Sequence, residues 1–301
     1  MKIYKYSDSS ISLIKEKPFK KEKEIQSMFE NNLQSILHLD FVQTEFVIKN
    51  RRFDTLAFDR DTNSFVIIEY KLDHNSSLID QGFAYLKLLL EYQAEFKLAY
   101  WNRFGSMPED IDWSQSRIVF VARSFTPYQL EAVNFKDLTI DLYEVKRFTN
   151  DTVYINRIRK DETAPSIKTV INKKEGKSTS NPMNQIKSYT EEDHLEKGSE
   201  DAIELYKTLR DSILSLDTSL EIKALKVYIA IKKDDFAICT LEIHKNFLWL
   251  FINAKMNSLD DPKHLMTDYS EKGHWGLGDY GIKLTDDSSL EYILFLIKQL
   301  L

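Results

Sequence analysis

The stretch Arg52–Lys71, RFDTLAFDRDTNSFVIIEYK, decides how this chain folds. Two runs of β-branched and aromatic residues flank the polar connection RDTN, which is the pattern of an antiparallel hairpin. The second run, SFVIIEYK, reads as a strand buried on both faces, yet it ends in Glu69 and Lys71. Buried charge is costly unless it is paired, bound to metal or left at a wet edge. A hairpin centred between Asp61 and Thr62 places Phe58 opposite Phe65, Leu56 opposite Ile67 and Asp54 opposite Glu69. Directly opposed residues share a face, and the period of two adds Lys71 to it. Two carboxylates forced together repel each other unless a cation sits between them. A hard, oxygen-ligated Mg²⁺ or Mn²⁺ is the natural occupant, with Asp54 and Glu69 as its ligands. A neighbouring lysine then serves to orient an attacking water and to neutralise developing phosphate charge.

The tripeptide alone carries no weight. Glu-x-Lys occurs five times, at Glu69, Glu95, Glu144, Glu175 and Glu221. Only Glu69 ends an apolar strand that follows another strand bearing a carboxylate. Glu95 falls in a helical pattern, Glu175 in a polar tract, and Glu144 follows a helix.

Working outward, MKIYKY and SISLIKE flank the turn-prone SDSS as a short hairpin. Apolar residues from Lys20 to Leu39 recur at helical spacing. FVQTEFVIK (Phe41–Lys49) precedes the central hairpin as a further strand. A long helix is predicted from Ser76 or Ser77 through Trp101, with Gln81 and Tyr85 spaced i, i+4 near its start, where backbone N–H groups favour an anion. In the first helix Glu22, Gln26 and Glu30 form an i, i+4, i+8 stripe that brings another carboxylate over the site. SRIVFVA, TPYQLEAVNF and TIDLYEVKRF continue as strand, helix and strand. Arg51, Arg52 and Lys49 are candidates for phosphate contact beside the Asp54 strand.

Composition bounds the rest. The chain has 301 residues, 43% of them hydrophobic and 12% aromatic, as a folded globular protein requires. The formal charge of −6 argues against a chain coated in positive charge for nonspecific DNA binding, but permits a local basic cleft. One cysteine, Cys239, rules out an intramolecular disulfide and suits a reducing cytoplasm. The N-terminus is too polar for a signal peptide, and no apolar run approaches the roughly 18 residues of a membrane helix. A soluble, cytoplasmic protein without membrane contact is expected.

Residues 160–198 are polar, contain two prolines and lack periodicity, and read as a linker. The second unit, 199–301, reads as an α+β domain: a helix at DAIELYKTLRDSILSL, strands at KALKVYIAI, FAICTLEIH and NFLWLFINAK, and a final helix at SSLEYILFLIKQLL. The aromatics of the third strand are expected in the core. Between them lies the glycine-rich EKGHWGLGDYG. His264, Asp268, His274 and Asp279 match no structural-zinc spacing. A structural loop packed by Trp275 and Tyr280 is favoured. Its glycines nevertheless permit close backbone approach, which makes His274, Trp275 and Asp279 candidate ligand-binding residues.

Asp54, Glu69-x-Lys71 and Gln81-x-x-x-Tyr85 on helix-strand-strand-strand-helix-strand resemble the PD-(D/E)xK restriction-endonuclease fold. The nearest likeness is to NucS-type and RecB-type nuclease domains, over roughly Lys20–Val121. The resemblance implies an α/β fold with an αβββαβ core in residues 1–159 and a smaller α+β domain behind it. It implies metal-dependent hydrolysis of DNA, or less readily RNA. Asp54, Glu69, Lys71 and Gln81 would then be catalytic, Glu22 (or Glu30) the helix carboxylate, and Arg51, Arg52 and Tyr85 nucleic-acid contacts. A homodimer would supply two active sites for duplex cleavage. KGHWGLGDYGIKLT resembles the C-terminal half of an uncharacterised bacterial family, some members of which carry the label "predicted transport protein". The alternative to a nuclease is a catalytically inactive nucleic-acid-binding or protein-interaction module.

Overall fold

Alternation along the Ser64–Lys71 strand divides its side chains between two separate cores. Phe65 and Ile67 enter one cluster, while Val66, Ile68 and Tyr70 enter the other. A strand buried on both faces needs a helical layer on each side. The computed structural model describes residues 2–72, 78–108, 110–135, 138–161, 163–166, 189–234, 236–270 and 278–301. It divides the chain into two units, Met1–Asp59 with Asn63–Lys187, and Arg60–Thr62 with Ser188–Leu301.

In the first unit β1 (Ile3–Ser7) and β2 (Ser10–Ile14) form the expected hairpin. Helices α1 (Glu22–Asn31) and α2 (Leu33–Leu37) follow, then β3 (Asp40–Ile48), β4 (Arg51–Asp59) and β5 (Ser64–Lys71). Helices α3 (Leu78–Glu91) and α4 (Gln93–Phe104) lead to β6 (Arg117–Ala122), and α5 (Pro127–Val133) to β7 (Ile140–Arg147) and β8 (Val153–Ile158). The sheet order is β3-β4-β5-β6-β7-β8. Strands β3, β4 and β5 pair antiparallel, β5, β6 and β7 parallel, and β8 returns antiparallel. This is the αβββαβ core of a restriction-endonuclease-like fold. Its α1–α2 side is closed by Ile25, Phe29, Leu33 and Leu37. The α3–α5 side is closed by Leu78, Leu89, Phe96, Tyr100 and Val133.

Both helices expected to be continuous are broken. Asn32, at φ −131° and ψ 22°, separates α1 from α2, and its side-chain amide donates to Met28 O at 2.8 Å. Tyr92, at φ −115° and ψ 40°, separates α3 from α4. Apolar spacing continues through each break, so periodicity alone joins the pieces. The predicted caps Ser76 and Ser77 lie outside the described residues. Strand β8 was not anticipated.

In the second unit α6 (Glu191–Leu195) and α7 (Glu200–Leu214) precede β9 (Leu220–Ala224), β10 (Ile229–Lys233), β11 (Phe236–His244), β12 (Phe247–Ile252), β13 (Thr267–Asp268), β14 (Tyr280–Leu284) and α8 (Leu290–Lys298). The sheet order is β13-β14-β12-β11-β10-β9, antiparallel throughout. Helices α7 and α8 cover one face through Tyr206, Leu209, Ile293 and Leu296. KALKVYIAI is two strands rather than one, turned where Leu225 N–H donates to Tyr228 O. The tract read as linker contains α6, whose His194 is buried and bonded to Leu225 O. The β12 run divides by parity. Leu248, Leu250 and Ile252 face the helices, while Trp249 and Phe251 pack with Tyr269 in a small cluster of their own. Among the described residues no helix is long and apolar enough to cross a membrane.

Gly82 sets how closely α3 lies on the sheet. A Cβ there would stand 2.8 Å from Ile140 Cδ1 and 3.2 Å from Phe120 Cε2. Gly82→Leu is expected to lower unfolding free energy by about 1–3 kcal/mol in urea titrations. Gly82→Ala is expected near neutral, because the Ile140 tip can swing and alanine favours helix by about 1 kcal/mol.

Candidate active site

Regular pairing between β4 and β5 runs from Asp59↔Ser64 to Thr55↔Ile68. At the next rung side chains replace the ladder. Asp54 N–H donates to Glu69 Oε1 at 3.2 Å, and Tyr70 N–H donates to Asp54 Oδ2 at 3.0 Å. Each carboxylate thus takes a main-chain amide of the opposite strand. The two acids meet where the hairpin register predicts.

The strand geometry around Asp54 is irregular. Phe53 and Leu56, three residues apart, both enter the α3-side core, so alternation slips between them. Across on β3, Thr44 pairs with Thr55 and Phe46 with Phe53. Glu45 between them takes φ 46°, which is uncommon for a residue with a side chain. Glu45 bonds Lys23 of α1 at 3.0 Å and approaches Arg52 at 3.9 Å.

Glu69 is only 2% exposed. Its Oε2 accepts from Lys71 Nζ at 3.3 Å and from Gln81 Nε2 at 3.0 Å. Gln81 in turn contacts the Tyr85 hydroxyl at 2.5 Å, and that hydroxyl donates to Arg52 O at 3.4 Å. The Tyr85 ring packs edge-on against Phe53, 4.6 Å between centroids. The i, i+4 spacing serves the protein's own acid rather than an incoming anion: one helical turn carries Gln81 to the carboxylate and Tyr85 to Gln81. Tyr85 is buried, at 4% exposure, so only its hydroxyl end approaches the site.

Helix α1 crosses the other side of the strand ends, and its polar stripe splits. Glu22 accepts Leu72 N–H at 3.2 Å, one residue past Lys71. Its charge is among those acting on Asp54. Glu30 turns instead to Thr55, whose hydroxyl donates to it at 2.7 Å. Gln26, 5% exposed, completes this arrangement, donating to Glu30 at 2.9 Å, Thr44 Oγ1 at 3.1 Å and Asp54 O at 2.8 Å. Thr55 and Tyr70 lie 3.3 Å apart behind it. This buried brace on the Asp54 main chain is what motif reading missed. Gln26 was visible on the stripe, but its partners come from β3 and β4.

Arg51 and Arg52 are exposed beside this rung, as is Lys49, whose ammonium lies 4.5 Å from the centre of the Tyr92 ring. In the second unit His274 and Trp275 lie outside the described residues. Asp279 is turned inward: its carboxylate accepts Met256 N–H at 2.8 Å and its main chain bonds Ala254 and Tyr269.

The electrostatics single out the strand-end acids. Glu69 is pushed from its ordinary 4.5 up to about 7, first by burial and second by the charge of Asp54, against the opposing pull of Lys71. Asp54 is also raised, chiefly by burial, with Lys71 opposing and Glu22 adding to the rise. Burial and the Glu69 charge lift the Tyr85 phenol to about 12, so it stays a neutral hydrogen-bonding group. Two acids pushed toward protonation beside a single lysine make a place where a divalent cation would substitute for the bound proton. The donor chemistry fits a hard cation. Among the described residues no group of three or more His, Cys, Asp or Glu side chains is gathered to hold a metal. Asp54 and Glu69 are carboxylate oxygen donors, the ligand type a hard cation takes.

No protein-family model matches the chain. It is 46% identical over 302 residues to an uncharacterized protein of Haemophilus influenzae (strain ATCC 51907 / DSM 11121 / KW20 / Rd), covering 99% of each. The chain belongs to the family of that protein. Among solved structures it aligns with a repair endonuclease from Pyrococcus abyssi at 16% identity and TM-score 0.25, over 43% of this chain and 50% of that one. It also aligns with an EndoMS–dsDNA complex at 18% identity and TM-score 0.24, over 44% and 51%. The chain spans about half the length of these structures. Its fold follows from its own strand order and direction.

The raised Glu69 has a consequence for stability in the absence of metal. The folded state holds a proton up to about 7 that the unfolded chain releases near 4.5. Folded protein therefore binds more protons across that window, and stability falls as pH rises through it. Thermal melts in EDTA from roughly pH 5 to pH 8 should show this decline, and Glu69→Gln should flatten it. Above neutral pH the variant should melt higher, by about 2–4 °C per kcal/mol relieved. Parallel pH profiles for the two proteins would contradict the assignment.

Proposed function

We propose that this protein is a divalent-metal-dependent nuclease that hydrolyses phosphodiester bonds, with DNA as the preferred substrate. The observation that carries the reading is the convergence of Asp54, Glu69 and Lys71 at one strand end of an αβββαβ core, with Gln81 bonded to the same carboxylate. A structural ion pair would need one acid for one lysine. Here Lys71 pairs with the buried Glu69 while a second, half-buried acid, Asp54, stands within reach of the same charge.

The roles follow from the contacts. Asp54 and Glu69 would hold Mg²⁺ or Mn²⁺, which when bound supplies Lewis acidity and lowers the pKa of a coordinated water. Gln81 fixes the rotamer of Glu69, and Tyr85 fixes Gln81. Gln26 holds the Asp54 main chain from behind. Lys71, 14% exposed at its side chain and 3.3 Å from Glu69, is placed to hold a water or to offset charge developing on a phosphoryl oxygen. Glu22 adds a carboxylate from α1 at the same edge. Arg51 and Arg52, outside the buried rung, would contact the nucleic-acid backbone, a salt-dependent interaction without sequence preference. The buried Cys239 is compatible with a cytoplasmic setting.

Purified protein is expected to cleave single-stranded, duplex or branched DNA with Mg²⁺ or Mn²⁺ and to stop in EDTA. Asp54→Ala and Glu69→Ala should each remove cleavage, and Lys71→Ala should lower the rate about 10²–10³-fold. Cleavage should rise as pH passes through neutrality, because Glu69 must lose its proton to bind a cation. Arg51→Ala with Arg52→Ala should weaken binding and reduce its salt slope. Cleavage that survives both carboxylate substitutions would remove the site from the mechanism.

A further inference from the structure

The β1–β2 hairpin presents a face that the described residues leave open to solvent. Pairing sets Tyr4 opposite Leu13 and Tyr6 opposite Ile11. Directly opposed residues share a face, so all four apolar side chains lie on one side. Each is between 51% and 72% exposed, so cross-strand pairing uses less than half of their surface. A two-stranded hairpin is marginal in water unless an apolar face packs on something. The turn does not compensate, because Asp8 and Ser9 take left-handed angles, φ 49° and 61°, without a glycine. An open aromatic face on so slight an element calls for an occupant outside the chain.

Charge indicates which kind. Residues 2–15 carry three lysines against one acid, Asp8 at the turn, a net +2 in a chain whose total is −6. Alternation extended one step past Ile3 and Ile14 brings the exposed Lys2 and Lys15 to the base of the aromatic face. Neither makes an ion pair among the described residues. Exposed rings beside free ammonium groups match single-stranded nucleic acid, whose base faces are open and whose backbone is anionic. A duplex hides those base faces. A standard protein interface takes about 20–30 residues a side, and this face is far smaller.

The hairpin is rooted at the edge of the sheet that carries the acids. Past β2, Glu16 bridges Phe148, one residue beyond β7, and its carboxylate bonds Arg123, one residue beyond β6. Strands β5, β6 and β7 run parallel, so this is the carboxyl-end edge at which Lys71 ends β5.

We propose that the β1–β2 hairpin is a stacking platform for single-stranded nucleic acid, with bases on Tyr4 and Tyr6 and phosphates at Lys2 and Lys15. That the bound strand is the substrate of the carboxylate site rests on the nuclease reading; the binding itself does not. The test follows fluorescence anisotropy of a labelled oligothymidine strand, and of a labelled duplex of equal length, with the full chain in EDTA. The single strand should bind about tenfold tighter than the duplex. Tyr4→Leu with Tyr6→Leu keeps apolar cross-strand pairs but removes the rings, and should erase that preference at an unchanged melting temperature. Tyr4→Phe with Tyr6→Phe should retain it. Lys2→Ala with Lys15→Ala should reduce the salt slope of strand binding by about 1.4. Equal affinity for strand and duplex, or a preference that survives the double Tyr→Leu variant, would overturn the proposal even if the protein cuts DNA. So would a preference lost in the double Tyr→Phe variant, or a salt slope unmoved by the lysine substitutions. A dimer in sedimentation that the double Tyr→Leu variant dissociates, with strand binding intact, would give the face to a second copy of the chain and also overturn it. A ring-dependent preference in a protein that cuts nothing would uphold the platform and discard the nuclease reading.

Discussion

The structure of the site depends on one reciprocal arrangement: Asp54 and Glu69 each accept a main-chain amide from the other's strand. A ladder that simply ended there would leave those amides to water. Using carboxylates fixes both side chains against the sheet and holds two acids opposite each other on one rung. That is unfavourable electrostatics: burial first, and then the charge of Asp54, push Glu69 upward, and burial pushes Asp54 upward as well. It persists because the flanking strands are locked into two cores, so neither strand end can turn its acid toward solvent. Rules of local stability are broken here for a gain elsewhere, as at functional sites generally.

The two helical layers contribute differently to that arrangement. Helix α3 reaches the acids directly, through Gln81 on Glu69 and Tyr85 on Gln81. Helix α1 works mostly from behind. Gln26 holds the carbonyl of Asp54, and Glu30 with Thr55 fills the space beneath the rung, leaving Glu22 alone at the open edge. Residues i and i+8 on a helix are about 12 Å apart along its axis, so Glu22 and Glu30 cannot serve one cation together. Their division between edge and interior is a consequence of helix length.

How much of this was legible varies with the kind of information required. The hairpin register was readable because strand period and turn position together fix every opposite pair. One side-chain face then picks Glu69 from five Glu-x-Lys tripeptides. The breaks at Asn32 and Tyr92 were not, because apolar spacing runs through both and only backbone angles reveal them. Strand β8 was missed because it lies at the sheet edge, where its residues are half-buried and carry little alternation. The choice between Glu22 and Glu30 was open in the sequence, since a helical stripe shows a face but not where the sheet ends along it.

The same reasoning bears on the glycine-rich motif of the second unit. Gly278 sits at φ 92°, and a Cβ there would lie 2.2 Å from the carbonyl oxygen of Ile252. Asp279 spends its carboxylate on Met256 N–H, Tyr280 is buried in the core, and a Cβ on Gly281 would meet the Tyr269 ring at 2.6 Å. Each of these four residues therefore has a packing reason for its identity. For these four described residues packing leaves no separate ground for chemistry. Asp54 and Glu69 also accept main-chain amides, but they stand side by side and both are pushed toward protonation. Packing alone does not require that, and so the chemical reading rests on the first unit.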